Sequence, residues 1–195
     1  RTIVWDRDPK LTISPNEMDK NVICSGRILH LDGHEVAASI QAARWAREVG
    51  IPVVLDAETV KEGTEELLSL TDILITSSAF PQTLTGISDD IQALTKLSLY
   101  EPLIVCMTLG KDGALAFYKG KFIRSPGFNI KAVDSTGAGD VFHGAFIYGM
   151  LAGLPIEEIL RFANAAAAMK CLSLGGRQGI PTLNEVIEFI EWNRC

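Results

Sequence analysis

An α/β fold built on a mostly parallel sheet, covered by helices on both faces, is what this chain predicts. Apolar runs without alternation recur along it, among them Val53-Val54-Leu55, Ile73-Leu74-Ile75 and Leu103-Ile104-Val105-Cys106-Met107. Strands that read this way are buried on both sides, the condition of a parallel sheet between helical layers. Stretches with a helical apolar period lie between them, giving a βαβαβ alternation. A chain of 195 residues buries one good core, so one domain over residues 1–195 is expected.

The elements follow in order. Arg1-Thr2-Ile3-Val4-Trp5 opens in a strand-like alternation without an initiator Met, so an N-terminal piece is expected to precede it. A polar connection containing Pro9 and Pro15 leads to residues 27–33, a buried strand ending in a turn signal at Asp32-Gly33. Residues 35–49 place Val36, Ile40, Ala43, Trp45 and Ala46 on a roughly helical period, and Gly50 closes that helix. A strand over 53–56, a helix around 65–70 and a strand over 73–75 complete the alternation. Residues 103–107 read as a further buried strand, and 114–118 pair with 121–124 across Lys119-Gly120 as a hairpin. Helices are expected from Ala138 onward, over 156–174 and over 183–192. In such sheets ligands gather at the carboxyl ends of the strands.

Net charge of −6, with Lys and Arg scattered rather than striped, argues against a nucleic-acid surface and for a small partner. Four cysteines lie far apart without CxxC spacing and read as reduced cytosolic thiols. No apolar run reaches the roughly 18 residues of a membrane span, so a soluble, cytoplasmic protein is expected. His30, His34 and His143 lack metal-ligand spacing and are assigned structural roles.

The chemistry is concentrated in Asp134-Ser135-Thr136-Gly137-Ala138-Gly139-Asp140, which opens an apolar, small-residue helix. Glycines at 137 and 139 leave no side chain, so successive N–H groups can point into one concavity. At a helix start these orphan donors and the helix dipole favour an anion, such as the charge on a phosphoryl group in flight. A carboxylate beside an anion hole repels phosphate, so Asp140 needs another reason to stand there, and taking a proton from an attacking hydroxyl supplies one. The pattern describes phosphoryl transfer to an alcohol. A lone GxG before a helix is most often a cap; it is the whole seven-residue order that outweighs this.

These residues resemble the signature of the PfkB/ribokinase family of carbohydrate kinases. The resemblance implies a ribokinase-like three-layer α/β/α sandwich, of which this chain lacks the N-terminal portion and most of the β lid. It implies Asp140 as catalytic base, with Gly137, Ala138 and Gly139 lining the anion hole. The family's TxGxxG nucleotide element matches Thr108-Leu109-Gly110-Lys111-Asp112-Gly113, in which Thr108, Gly110 and Gly113 precede Asp140 by 32, 30 and 27 residues. Lys111 is a further candidate there, and Asn164 stands where the family has a nucleotide-contacting residue. ATP with Mg2+ is the implied phosphoryl donor. A potassium ion is implied by analogy at Asp134 and Thr136, with backbone carbonyls near Lys170, Ser173 and Gly175; Gly179 stands where several relatives carry a polar side chain.

One element departs. The family's NxxE, which helps organise magnesium and phosphates, would follow residues 73–75, where the chain reads Thr76-Ser77-Ser78-Ala79-Phe80. Magnesium is then expected to be held through water by Ser77, Asp56 or Glu58. Ketohexokinase-like members depart similarly, and Arg1-Thr2-Ile3-Val4 and Leu29-His30-Leu31-Asp32-Gly33 are similar to them, which leans toward a ketose or related sugar. A homodimer through lid strands is a further implication. Two alternatives stay open within the family, a non-catalytic nucleotide- or sugar-binding relative and a nucleoside kinase. A dinucleotide-dependent oxidoreductase is disfavoured, because the third fingerprint glycine is absent.

Overall fold

A computed structural model describes residues 8–193. The expected strand at residues 1–5 lies outside the described residues.

One sheet of six strands among the described residues runs β1 (Leu29–Leu31), β2 (Val53–Ala57), β3 (Ile73–Ser77), β4 (Ile104–Thr108), β5 (Ala114–Tyr118), β6 (Lys121–Ser125), in that spatial order. The first four are parallel, and β4-β5 and β5-β6 are antiparallel. The hairpin turn is the expected Lys119-Gly120, with φ of 49° and 75°. Two positive φ values in a two-residue loop match the twist of the strands it joins.

Helices α1 (Lys20–Ile23), α2 (Val36–Glu48), α3 (Thr64–Ser69), α4 (Ala79–Thr85) and α5 (Asp90–Leu97) precede or link the parallel strands; α6 (Ala138–Leu151), α7 (Ile156–Lys170) and α8 (Leu183–Trp192) follow the sheet. Right-handed crossovers that step always the same way place every linking helix on one face. That face joins Ala43 and Ala46 of α2, Leu67 and Leu68 of α3, Phe80 of α4 and Leu94 and Leu97 of α5 to Val53, Leu55, Leu74, Val105 and Met107. The alternate side chains Val54, Ile73, Ile75, Ile104 and Cys106 meet Phe142 and Phe146 of α6 and Ile159, Leu160 and Ala163 of α7. Three layers result, and a side chain's parity in β2 decides which helical layer it meets.

Three differences from the sequence reading stand out. Helices α4 and α5 were not anticipated, although Asp89 caps α5 by accepting from Gln92 N–H at 2.8 Å ahead of an Ile91, Leu94, Leu97 stripe. Helix α7 ends at Lys170 rather than 174, because the chain turns back at Cys171. Strand β1 covers three residues of the seven expected.

Helix α8 begins with a capping box in which Thr182 N–H donates to Glu185 Oε2 at 2.7 Å and Glu185 N–H donates to Thr182 Oγ1 at 3.4 Å. Thr182→Ala is expected to cost about 1 kcal/mol, read as a melting temperature lower by about 2–4 °C.

Candidate active site

Helix α6 starts where its sequence predicts, and its first residues are shaped by backbone contacts. Gly137 caps it in the left-handed conformation at φ 77°, and a Cβ there would stand 2.8 Å from Gly176 O. No other residue fits without moving the 175–176 loop. A Cβ on Gly139 would meet nothing within 4 Å, so that stretch of backbone faces open space. Ala138 N–H donates to Ser135 O at 3.1 Å and Val141 N–H to Gly137 O at 3.0 Å. Between them, Gly139 and Asp140 N–H have no such acceptor among the described residues. Among the described residues the N–H groups left without such an acceptor are those of Gly137, Gly139 and Asp140, while that of Ala138 is engaged by Ser135.

The glycines of the second motif adjoin this start. Thr108 ends β4 beside Ser77 of β3, and its hydroxyl donates to Thr76 O at 3.2 Å. A 3-10 turn over Gly110–Asp112 follows, and Gly113, at φ 90°, lies so close to β6 that a Cβ would stand 2.1 Å from Ser125 O. The backbone is thereby folded down and clears a cavity of about 540 Å³. Thr108, Gly110, Lys111, Gly113, Ala138, Gly139 and Asn164 all line it, together with Phe128, Ile130 and Phe142. Both glycine motifs and Asn164, distant in sequence, thus share one concave surface of nucleotide size.

Asn164 is a wall of that cavity with a structural task of its own. It is buried, and its amide donates to Ser125 O at 3.1 Å and Ser125 Oγ at 3.0 Å, holding the end of β6. Asp140 is exposed in the first turn of α6, next to Gly139 but not itself among the residues lining that cavity. It edges a second, largely apolar depression of about 430 Å³ between α6, α7 and α8.

The residues of the implied cation site also converge. Asp134 Oδ1 accepts from Thr136 N–H at 2.9 Å, Asp134 Oδ2 from Gly175 N–H at 2.7 Å, and Asp134 O from Lys170 Nζ at 2.8 Å. Ser173 N–H donates to Lys170 O at 3.4 Å. The N–H groups of Thr136 and Gly175 hold the Asp134 carboxyl at about 2, well below its ordinary range.

Sequence reasoning missed a buried cluster near the start of α6. Within β2, Val53, Leu55 and Ala57 turn to one layer, and Asp56 to the other, where α6 lies. There Asp56 Oδ1 stands 3.4 Å from His143 Nε2, and the His143 ring stacks on His30 with centroids 5.7 Å apart. His143 Nδ1 lies 2.7 Å from Gly139 O, an acceptor only, so the imidazole proton belongs on Nδ1. Burial holds His143 below its ordinary pKa, so its contact with Asp56 is not an ion pair. Burial, with the carboxylates of Glu58, Asp140 and Asp32 adding to it, raises Asp56 from 3.8 to about 7. A protonated Asp56 suits the bare lone pair it faces. The signal was the polar residue ending a buried strand, but its partner became visible only with the sheet order.

This pair makes a pH prediction. The folded state binds a proton on Asp56 that the unfolded chain releases near pH 4, so the stabilisation is fully present below about pH 4 and is lost as pH rises through about 7. Of the order of 3 kcal/mol is involved. Asp56→Asn is expected to flatten the decline in melting temperature between pH 5 and 8 by roughly 5 °C or more, followed by calorimetry; parallel curves would refute the raised carboxyl.

Residues 1–183 match the family model described as pfkB family carbohydrate kinase, and the chain belongs to that family. Ribokinase of Haemophilus influenzae is 36% identical over 166 residues, covering 83% of this chain and 53% of that protein. Fructokinase-2 of Solanum lycopersicum is 27% identical, covering 98% of this chain and 66% of that protein. Among solved structures, Arabidopsis thaliana ribokinase complexed with ribose and ATP is 29% identical with a TM-score of 0.80, covering 92% of this chain and 60% of that one. A putative ribokinase II from E. coli in complex with ATP and Mg2+ has the same fold, with a TM-score of 0.85 at 24% identity, covering 92% and 63%. The chain spans about half to two-thirds of the length of these relatives. The ribokinase-like α/β fold expected from the signature is therefore the fold found. No helix among the described residues is long and apolar enough to cross a membrane.

Proposed function

We propose that the protein to which this chain belongs transfers the terminal phosphoryl group of ATP to a hydroxyl of a sugar or sugar-like molecule, with Asp140 as the base. The observation that carries the reading is the shared cavity in which the Thr108 to Gly113 backbone meets the open first turn of α6. Adenosine phosphates laid along it would bring a terminal phosphoryl to the N–H groups of Gly139 and Asp140. Preorganised donors of this kind act on charge that develops in the transition state. The adjacent Asp140 carboxylate would accept the acceptor hydroxyl's proton as the O–P bond forms and the bond to ADP breaks. Magnesium would enter with the nucleotide as MgATP, held mainly by the phosphates and water.

The named relatives, ribokinases and a fructokinase, support a pentose or hexose acceptor. ADP release by the full-length protein with MgATP and a panel of aldoses, ketoses and nucleosides tests this. Turnover with one sugar class is expected; nucleoside turnover alone would make it a nucleoside kinase. The absence of Asn and Glu over residues 76–80 favours a second reading, nucleotide binding without turnover. That reading prevails if ATP binds and every acceptor fails.

A further inference from the structure

The fully buried Lys170 has no part in the reaction just described. It closes the last turn of α7 with no exposed surface, and its Nζ reaches Asp134 O at 2.8 Å. Asp134 and Thr136 open the anion-hole segment, where the family resemblance implies a potassium ion. The residues present do not suit one. All three oxygens of Asp134 already accept a hydrogen bond, from Lys170 Nζ and from the N–H groups of Thr136 and Gly175, and a metal cation at them would lie against the Lys170 ammonium. The carbonyl of Lys170 accepts from Ser173 N–H at 3.4 Å, and Gly179 packs so closely against it that a Cβ there would stand 2.5 Å away.

We propose that the Lys170 ammonium is the resident monovalent cation of this loop, a positioning group supplied by the chain itself, so that the kinase needs no potassium. A lysine ammonium carries the same single charge as potassium, and being tethered it cannot dissociate. A buried charge of this kind requires an oppositely polarised partner, which the Asp134 carbonyl and its neighbouring carboxylate provide. The reach to the site is short and continuous. Lys170 holds Asp134, Asp134 holds Gly175 and Thr136, and Gly176 O packs against Gly137 at the start of α6. Loss of the ammonium would loosen the loop that aims the Gly139 and Asp140 donors.

The catalytic arm of the test rests on the kinase reading, whereas the melting arm does not. In the full-length protein, melting temperature and turnover are measured in potassium, ammonium, sodium and choline chlorides at equal ionic strength. The wild type is expected to be indifferent to the cation in both. Lys170→Ala, which opens room for an ion, is expected to melt lower in choline and to be raised by potassium or ammonium, with turnover reduced about tenfold to a hundredfold and largely rescued by the same ions. Lys170→Met keeps the apolar stem and fills the space, so it should show the loss without the rescue. Potassium activation or stabilisation of the wild type overturns the proposal, even if neither variant folds. So does a folded Lys170→Ala protein that behaves alike in all four salts. If no acceptor is phosphorylated at all, the kinase reading fails while the melting comparison still decides the role of Lys170.

Discussion

Asparagine in place of Asp140 is expected to lower turnover by about a hundredfold to ten-thousandfold while nucleotide affinity stays within a few-fold of wild type. The carboxylate is exposed in the first turn of α6 and lies outside the lining of the nucleotide-sized cavity, so removing its charge leaves the cavity's walls intact. What is lost is the acceptor for the hydroxyl proton. Asparagine cannot take that proton, yet it is close in size and its own N–H remains at the helix start. Affinity could even rise slightly, because a negative charge beside bound phosphates is removed. Nucleotide titration by calorimetry, alongside ADP release, separates the two effects. Retained turnover would remove Asp140 from the role of base; lost affinity with unchanged kcat would make it a binding residue.

Gly113→Ala is expected to be the most damaging small change to the framework, costing about 3 kcal/mol or more and lowering the melting temperature by roughly 6–12 °C. Its φ of 90° and ψ of −124° belong to glycine, and a Cβ would stand 2.1 Å from Ser125 O and 2.4 Å from Gly127 N. Both obstacles are backbone and cannot rotate away. Relief requires parting the turn after β4 from the end of β6, and Asn164 is hydrogen-bonded to that same Ser125. The cavity should deform, so nucleotide affinity falls together with stability. Gly110 is the internal control: its φ is also positive, at 57°, but a Cβ there meets nothing within 4 Å. Gly110→Ala should cost only about 1 kcal/mol. Equal damage at both positions would show that strain, not the close approach of β6, governs this loop.

Much of this framework was legible because it is locally encoded. Strands β2, β3 and β4 are apolar runs whose burial on both faces leaves no alternative to an inner sheet, and Lys119-Gly120 is a turn that only certain backbone angles permit. The order Asp134 to Asp140 likewise specifies a helix start with free donors. Helix α5 was also legible in principle, through the Asp89 cap and the Leu94 and Leu97 stripe. Helix α4 carries Pro81 within seven residues, too short and too broken a pattern to stand out by period.

The chemistry of individual side chains was less accessible. His143 read as one helix residue among many, and Asp56 as the end of a strand. Their meeting at 3.4 Å depends on the place of β2 in the sheet, with β3 and β4 between it and the hairpin, and on α6 crossing the opposite face from α2. Lys170 entered the sequence reading for its backbone carbonyl alone. That its side chain bends back to Asp134 depends on α7 ending there and on Gly179 closing over it.

By itself, then, the sequence determined the class of fold, the family and the start of α6 that the proposal takes as its anion hole, since each rests on contiguous residues acting through their own backbone and charge. Only the tertiary structure decided that Asn164 braces β6, that Asp56 and His143 share one buried contact and that the Lys170 side chain reaches Asp134. Those contacts join residues 36 to 87 positions apart, and long-range packing, not local propensity, selects which polar groups are buried together and which protonation states they can keep.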